Sequence, residues 1–229
     1  GGYMNNLVSV AAGNDHALAL RSDGSVFSWG SNSRGQLGIG DDGSQIAPYQ
    51  VLVDPAEANV TDIPSDEGVL SRMVEISAGD EFSVALGRNN SVYAWGDNTY
   101  GQIGIGAAST DKVLTPTRVK ADTSLVRDEE IELRHGVAYL DHIVAISAYG
   151  KHVTAMSLKA DDSVHALGTG HIVYTWGRND HGQLGVAAES DGSYAPYKAL
   201  PTPTLFSQGA YAGKQDSFTN DAYGIGSGY

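Results

Sequence analysis

"SVFSWGSNSRGQLGIG", residues 25–40, sets a tryptophan, four glycines and a run of amide and hydroxyl side chains around one charged residue, Arg34. The arrangement returns as "SVYAWGDNTYGQIGIG" at 91–106 and as "IVYTWGRNDHGQLGVA" at 172–187. One copy would be an odd loop. Three copies, with Trp29, Trp95 and Trp176 spaced 66 and 81 residues apart, mark a repeat architecture.

The similarity extends upstream of each tryptophan, through "VSVAAGNDHALALRSDG", "VEISAGDEFSVALGRNN" and "VAISAYGKHVTAMSL". Each begins with strand-like alternation, turns near a glycine and runs back as a second strand. Asp23-Gly24 and Asn89-Asn90 tolerate positive φ, which predicts two-residue hairpins leading into the tryptophan strand. The proline-led segments "APYQVLV" from 47 and "TPTRVKA" from 115 can supply a fourth strand. Four antiparallel strands per unit, repeated along the chain, predict an all-β fold, a β-propeller-type array of four-stranded antiparallel blades.

"VAAGNDHALAL" (10–20) together with "WGSNSRGQLGIG" (29–40) resembles the repeat of the regulator of chromosome condensation family, whose members form seven-bladed β-propellers. The residues carrying the resemblance are Gly13, His16, Trp29, Gly30, Gly35, Gln36 and Gly38 in the first unit, and Gly79, Trp95, Gly96, Gly101, Gln102 and Gly104 in the second. In the third they are His152, Trp176, Gly177, Gly182, Gln183 and Gly185. Phe82 replaces the motif histidine in the second unit, Tyr149 replaces the motif glycine in the third, and the third hairpin is longer by eleven residues.

The units are read as repeat 1 (7–53), repeat 2 (73–119), repeat 3 (143–205) and a partial repeat 4 (206–229) within a single repeat domain, 1–229. In the last, "AYAGKQDSFT" places Asp216 where the histidine falls. Three blades plus a partial fourth make an incomplete ring, so the sheet edges left at its ends call for a cover. Further copies of the chain or other protein partners would complete the array.

The chain has 229 residues, 29 of them glycine and 12 tyrosine, and no cysteine. Its formal charge of −13, from 14 basic and 27 acidic residues, disfavours nucleic acid as a partner, because that affinity rests on clustered Lys and Arg. No segment has the length and apolarity of a membrane span, so no membrane insertion is expected, and "GGYMNNLVSV" lacks the pattern of a secretory leader.

Physically, the quoted motif reads as a clasp. The tryptophan fills the space between adjacent blades and its indole N–H needs an acceptor once buried. The glycines let the backbone turn sharply, and Gln36, Gln102 and Gln183 can satisfy loop groups that no ladder reaches. A catalytic residue is seldom needed three times, so the reading is structural and non-enzymatic.

No cofactor and no metal are expected. His135, His142, His165, His171 and His181 are scattered without ligand spacing, and Asp41-Asp42 and Asp161-Asp162 lack the pattern of a calcium loop. "GIGDDG" has no following Lys-Ser/Thr, and no G-x-S-x-G elbow occurs. A glycan-active enzyme using paired carboxylates ranks last, because no such pair stands out.

What varies between copies points to partner binding, since recognition on repeat scaffolds concentrates in loops. The candidates are Asp66 and Glu67 in the loop 54–72, Arg127, Asp128, Glu129 and Glu130 in 120–142, and His165 and His171 in the expanded third hairpin. The segment "LVRDEEIELRHGVAYL" has both strand-like and short-helix character. Low charge density and long polar loops favour a structural or interaction module within a surface or virion assembly, placed extracellularly, at the cell surface or on a virion rather than in the cytoplasm. The alternative is an intracellular regulatory propeller resembling a small-GTPase exchange factor or a chromatin-associated scaffold.

Overall fold

The computed structural model describes residues 3–54, 65–66, 68–125, 131–134, 136–157, 172–187 and 192–204. Among them there is no helix. Strands β1 (Leu7–Ala12), β2 (His16–Arg21), β3 (Val26–Gly30) and β4 (Gln45–Gln50) form one antiparallel sheet in sequence order. A small hairpin follows, β5 (Ser65–Asp66) with β6 (Val69–Leu70). The second four-stranded sheet is β7 (Met73–Ala78), β8 (Phe82–Gly87), β9 (Val92–Gly96) and β10 (Val113–Arg118). A second hairpin, β11 (Ile131–Arg134) with β12 (Val137–Leu140), makes strand of the described part of the ambiguous segment that lies within 131–140. The third sheet is β13 (Ile143–Tyr149), β14 (His152–Ser157), β15 (Val173–Arg178) and β16 (Tyr197–Pro203). The fourth strands begin before their prolines, at Gln45 and Val113.

These sheets are the blades of an open propeller array. Their repetition extends to register, since Trp29, Trp95 and Trp176 stand opposite Ala17, Ser83 and Val153 on the neighbouring strand. It extends to torsions too. Asn6, Arg72 and His142 precede the first strand of each blade with φ of 57°, 58° and 58°, and each of those strands carries an irregularity after its first residue.

The hairpins differ from expectation in their turns. Gly24 N donates to Arg21 O (2.9 Å) and Arg21 N to Ser25 O (3.0 Å), and of the two predicted turn residues only Gly24 has positive φ, 87°. The second blade repeats this, with Asn90 N on Gly87 O and φ of 63° at Asn90. The connection is a three-residue loop, a type I turn closed by one left-handed residue, rather than a two-residue turn with two. Asp23 Oδ1 and Asn89 Oδ1 hold it by accepting the N–H of Ser25 and Ser91.

The core lies between blades. One cluster joins Leu18, Leu20 and Val26 of the first blade to Met73, Ile76, Ala85, Tyr93 and Trp95 of the second. The other joins Phe82, Val84, Leu86 and Val92 to Ile143, Ile146, Ala155, Tyr174 and Trp176. A blade is therefore apolar on both flanks and needs a neighbour on each.

Candidate functional site

The loop after each tryptophan strand closes on an asparagine. Asn32 Oδ1 accepts Leu37 N (2.9 Å), Asn98 Oδ1 accepts Ile103 N (3.1 Å) and Asn179 Oδ1 accepts Leu184 N (3.1 Å). Their Nδ2 groups donate across the loop to Asp41 O, Ala107 O and Ala195 O. All three are buried, so each amide replaces a stretch of ladder that the loop cannot make. The sequence reading passed over them, although they sit at a fixed place inside the motif.

Gln36, Gln102 and Gln183 do as expected with their side chains: Oε1 accepts the backbone N–H of Arg34 (2.8 Å), Tyr100 (2.8 Å) and His181 (2.9 Å). Their main chains carry the larger consequence. Trp95 Nε1 donates to Gln36 O and Trp176 Nε1 to Gln102 O, both at 2.9 Å, so these two tryptophans are pinned to the clasp of the preceding blade. Gly38 and Gly104 lie under those indoles, where an added Cβ would come within 2.7 and 3.0 Å of Nε1. Gly30, Gly96 and Gly177, with φ of 105°, 112° and 100°, let the chain leave the strand. Gly35, Gly101 and Gly182 turn the clasp itself, and Gly185 closes the third one.

His16 joins the same staple. Its Nε2 lies 2.9 Å from Ser83 Oγ, which donates to Gln36 O at 2.8 Å. That geometry requires the N–H on Nε2, leaving a buried Nδ1 with no hydrogen-bond partner among the described residues. Burial pulls the His16 pKa down to about 4, against a smaller opposing effect from Asp15. Gly13 and Gly79 leave room for the side chain three residues on, since a Cβ there would sit 2.2 Å from His16 and 1.9 Å from Phe82. Tyr149 occupies this place in the third blade, and His152 is half-buried, its pKa lowered by burial.

One face gathers the loops between first and second strands and the start of each clasp. Asn14 N donates to Asp80 O (3.2 Å) and Asp80 N to Gly150 O (2.8 Å), a chain of bonds running from blade to blade. Lys151 reaches back to Asp97 (3.3 Å) and Glu81 (3.6 Å), and both Lys151 and Arg178 stack over Tyr100. Beside the third clasp lies a cavity of about 210 Å³, lined by residues that include Asp80, Tyr149, Lys151, Arg178, His181 and Gln183. Arg178 binds Asp180 and holds that carboxyl below the usual range. Among the described residues no group of three or more His, Asp or Glu could hold a metal ion. No described helix is long and apolar enough to cross a membrane.

Of the candidate partner residues, Asp66 ends the short strand β5, and its side chain lies outside the described residues. Glu67, Arg127, Asp128, Glu129, Glu130, His165 and His171 lie outside them altogether, as does the partial repeat 206–229.

The description "Regulator of chromosome condensation (RCC1) repeat" matches residues 23–86, 89–132 and 171–209, and a second form of it matches 7–36 and 73–102. The chain belongs to the RCC1 repeat family. Among curated RCC1 relatives, the human probable E3 ubiquitin-protein ligase HERC6 is 28% identical over 182 residues, 79% of this chain and 14% of that protein. The Bos taurus secretion-regulating guanine nucleotide exchange factor is 29% identical over 200 residues, 86% of this chain and 35% of that one. The chain thus spans a minor part of the length of these relatives. Among solved RCC1-type folds, Prp20p of Saccharomyces cerevisiae, described with its binding to Gsp1p and histones, superimposes with a TM-score of 0.58 at 21% identity. That alignment covers 90% of this chain and 42% of Prp20p.

These relatives support an RCC1-type interaction propeller. They overturn the extracellular, cell-surface or virion placement, because exchange factors and HERC ligases are intracellular proteins. The reading as part of a surface or virion assembly finds no support among them. Low charge density and polar loops misled it, since both are properties of the propeller scaffold rather than of any one compartment.

Proposed function

We propose that this chain is a non-catalytic protein-binding module of a regulatory RCC1-type propeller, in the class of exchange factors and chromatin-associated scaffolds. The observation that carries it is the pairing of three rigidly stapled blades with a loop face on which Asn14, Asp80 and Gly150 are joined by backbone bonds. Such a face is a fixed platform for a protein surface, and among the described residues it holds no array of groups suited to bond-making. The exchange-factor relative and the binding of Gsp1p by Prp20p make a small GTPase the first partner to test.

A second partner class is favoured by charge. With a formal charge of −13, the chain suits a basic protein such as a histone, the other ligand named for Prp20p. Immobilised chain challenged with a panel of small GTPases and with core histones separates the two. A GTPase partner would be retained in a nucleotide-sensitive way and its bound nucleotide released faster. A histone partner would be retained in a salt-sensitive way. Retention of neither contradicts the proposal.

A further inference from the structure

Arg72 and Arg88 stand side by side at the end of the second blade that lies away from the loop platform. Arg72 leads into β7 and Arg88 follows β8, whereas residues 79–81 join the two strands at their other end, about 20 Å along a strand of this length. Arg88 N donates to Arg72 O at 2.9 Å, and Met73 N donates to Gly24 O of the first blade at 3.0 Å. A Cβ on Gly24 would come within 2.7 Å of Arg72 Cα, so the backbone beneath the arginines is clamped. Both residues are exposed.

Nothing in the repeat asks for arginine at these places. The equivalent pair in the first blade is Asn6 and Ser22, joined by the same bond, Ser22 N to Asn6 O at 2.8 Å. Arg72 has φ of 58°, a left-handed conformation that asparagine adopts at lower cost, as Asn6 does with φ of 57°. The chain has a formal charge of −13, yet among the described residues neither guanidinium has an ion pair. Carboxylates of the adjoining turns are engaged by other groups. Asp23 pairs with Arg21 at 3.3 Å and accepts Ser25 N and Oγ. Asp141, bonded to Ser91 in the turn that Arg88 opens, faces Arg118 at 3.8 Å and accepts His142 N. Two like charges fixed beside each other without a counter-charge work against folding.

We infer that Arg72 and Arg88 bind a phosphorylated serine or threonine of a partner protein. Two guanidiniums present two positive charges to one place. A phosphate monoester meets them with a charge of about −1.5 to −2 and three acceptor oxygens on a single group, whereas one carboxylate supplies only part of that. Each guanidinium offers a planar fork of N–H donors to a pair of those oxygens. Nucleic acid fits poorly, because a phosphodiester track calls for a run of cations and the chain is acidic. The clamped backbone lowers the ordering cost of binding. This surface is separate from the loop platform, so it adds a phosphorylation-dependent contact to the proposed module.

Fluorescence anisotropy of a labelled peptide titrated with the full chain tests this. The probe is an otherwise uncharged glycine-alanine peptide carrying one phosphoserine. It is compared with the unphosphorylated peptide, a peptide with two adjacent glutamates in place of the phosphoserine, and single-stranded DNA. The phosphopeptide is expected to bind roughly tenfold or more tightly than the other three. Arg88→Gln and Arg72→Asn should each weaken it by roughly tenfold. Arg72→Asn installs the first blade's residue, so its unfolding temperature stays level or rises while binding falls, a split that a merely structural arginine would not give. Lys112→Gln removes an equal charge elsewhere, beside Asp42, and leaves binding unchanged. The inference is overturned by a phosphopeptide that does not bind, by binding indifferent to phosphorylation, by glutamate peptide or DNA binding as tightly, or by arginine variants that bind like the parent chain. GTPase and histone retention concerns the loop face at the other end of the blades, so the proposed function and this inference fail separately.

Discussion

Replacing each tryptophan in turn by phenylalanine probes the staple while largely preserving apolar volume. Trp95 and Trp176 are both fully buried and both donate to a glutamine carbonyl at 2.9 Å. Their acceptors differ. Gln36 O also receives Ser83 Oγ at 2.8 Å, whereas at Gln102 O the indole is the donor the structure provides, because Val153 stands where Ser83 does. Trp95→Phe therefore loses one hydrogen bond of about 1 kcal/mol plus imperfect packing. Trp176→Phe adds the desolvation cost of a stranded buried carbonyl, about 1–3 kcal/mol more. Trp29→Phe, at a half-buried indole with no hydrogen bond among the described residues, costs well under 1 kcal/mol on the same reasoning. Urea unfolding followed by circular dichroism measures all three. Equal costs, or Trp29→Phe costing as much as Trp176→Phe, would refute the staple.

Further expectations concern protonation and the clasp. His16, with its pKa near 4 against 6.5 when unfolded, binds its proton more readily in the unfolded chain. Its contribution is present above pH 6.5 and is lost as pH falls to about 4, a change of about 3 kcal/mol. Glu75, raised by burial, acts in the opposite sense, stabilising as pH falls. His16→Phe, the residue type the second blade uses, should stay folded and flatten the acid limb of stability against pH, and an unchanged limb would exclude His16 as its source. Asn98→Ala strands Ile103 N and Ala107 O and should cost about 2–4 kcal/mol in thermal unfolding, whereas a shift near zero would show that the clasp closes without it.

The blades were legible because their signals are local. Alternation in "HALAL" and "FSVAL", the recurring tryptophan and the glycines each constrain a few consecutive residues, and the sheets follow from them. What escaped depends on loop shape. Asn32, Asn98 and Asn179 look like any polar loop residue until the chain folds back and presents two backbone groups to one amide. The turn at Asp23-Gly24 satisfied the rule for positive φ, yet one left-handed residue sufficed because the Asp23 side chain supplied the rest. Function was the least legible, since the repeated residues are spent on joining blades. Compartment left no mark on them at all.

The most direct test of the stapled array is hydrogen exchange at the three indole N–H groups, followed by NMR. Trp95 and Trp176, donating to buried clasp carbonyls, should exchange slowly, and Trp29 should exchange rapidly. Three indoles exchanging at similar rates would contradict the account.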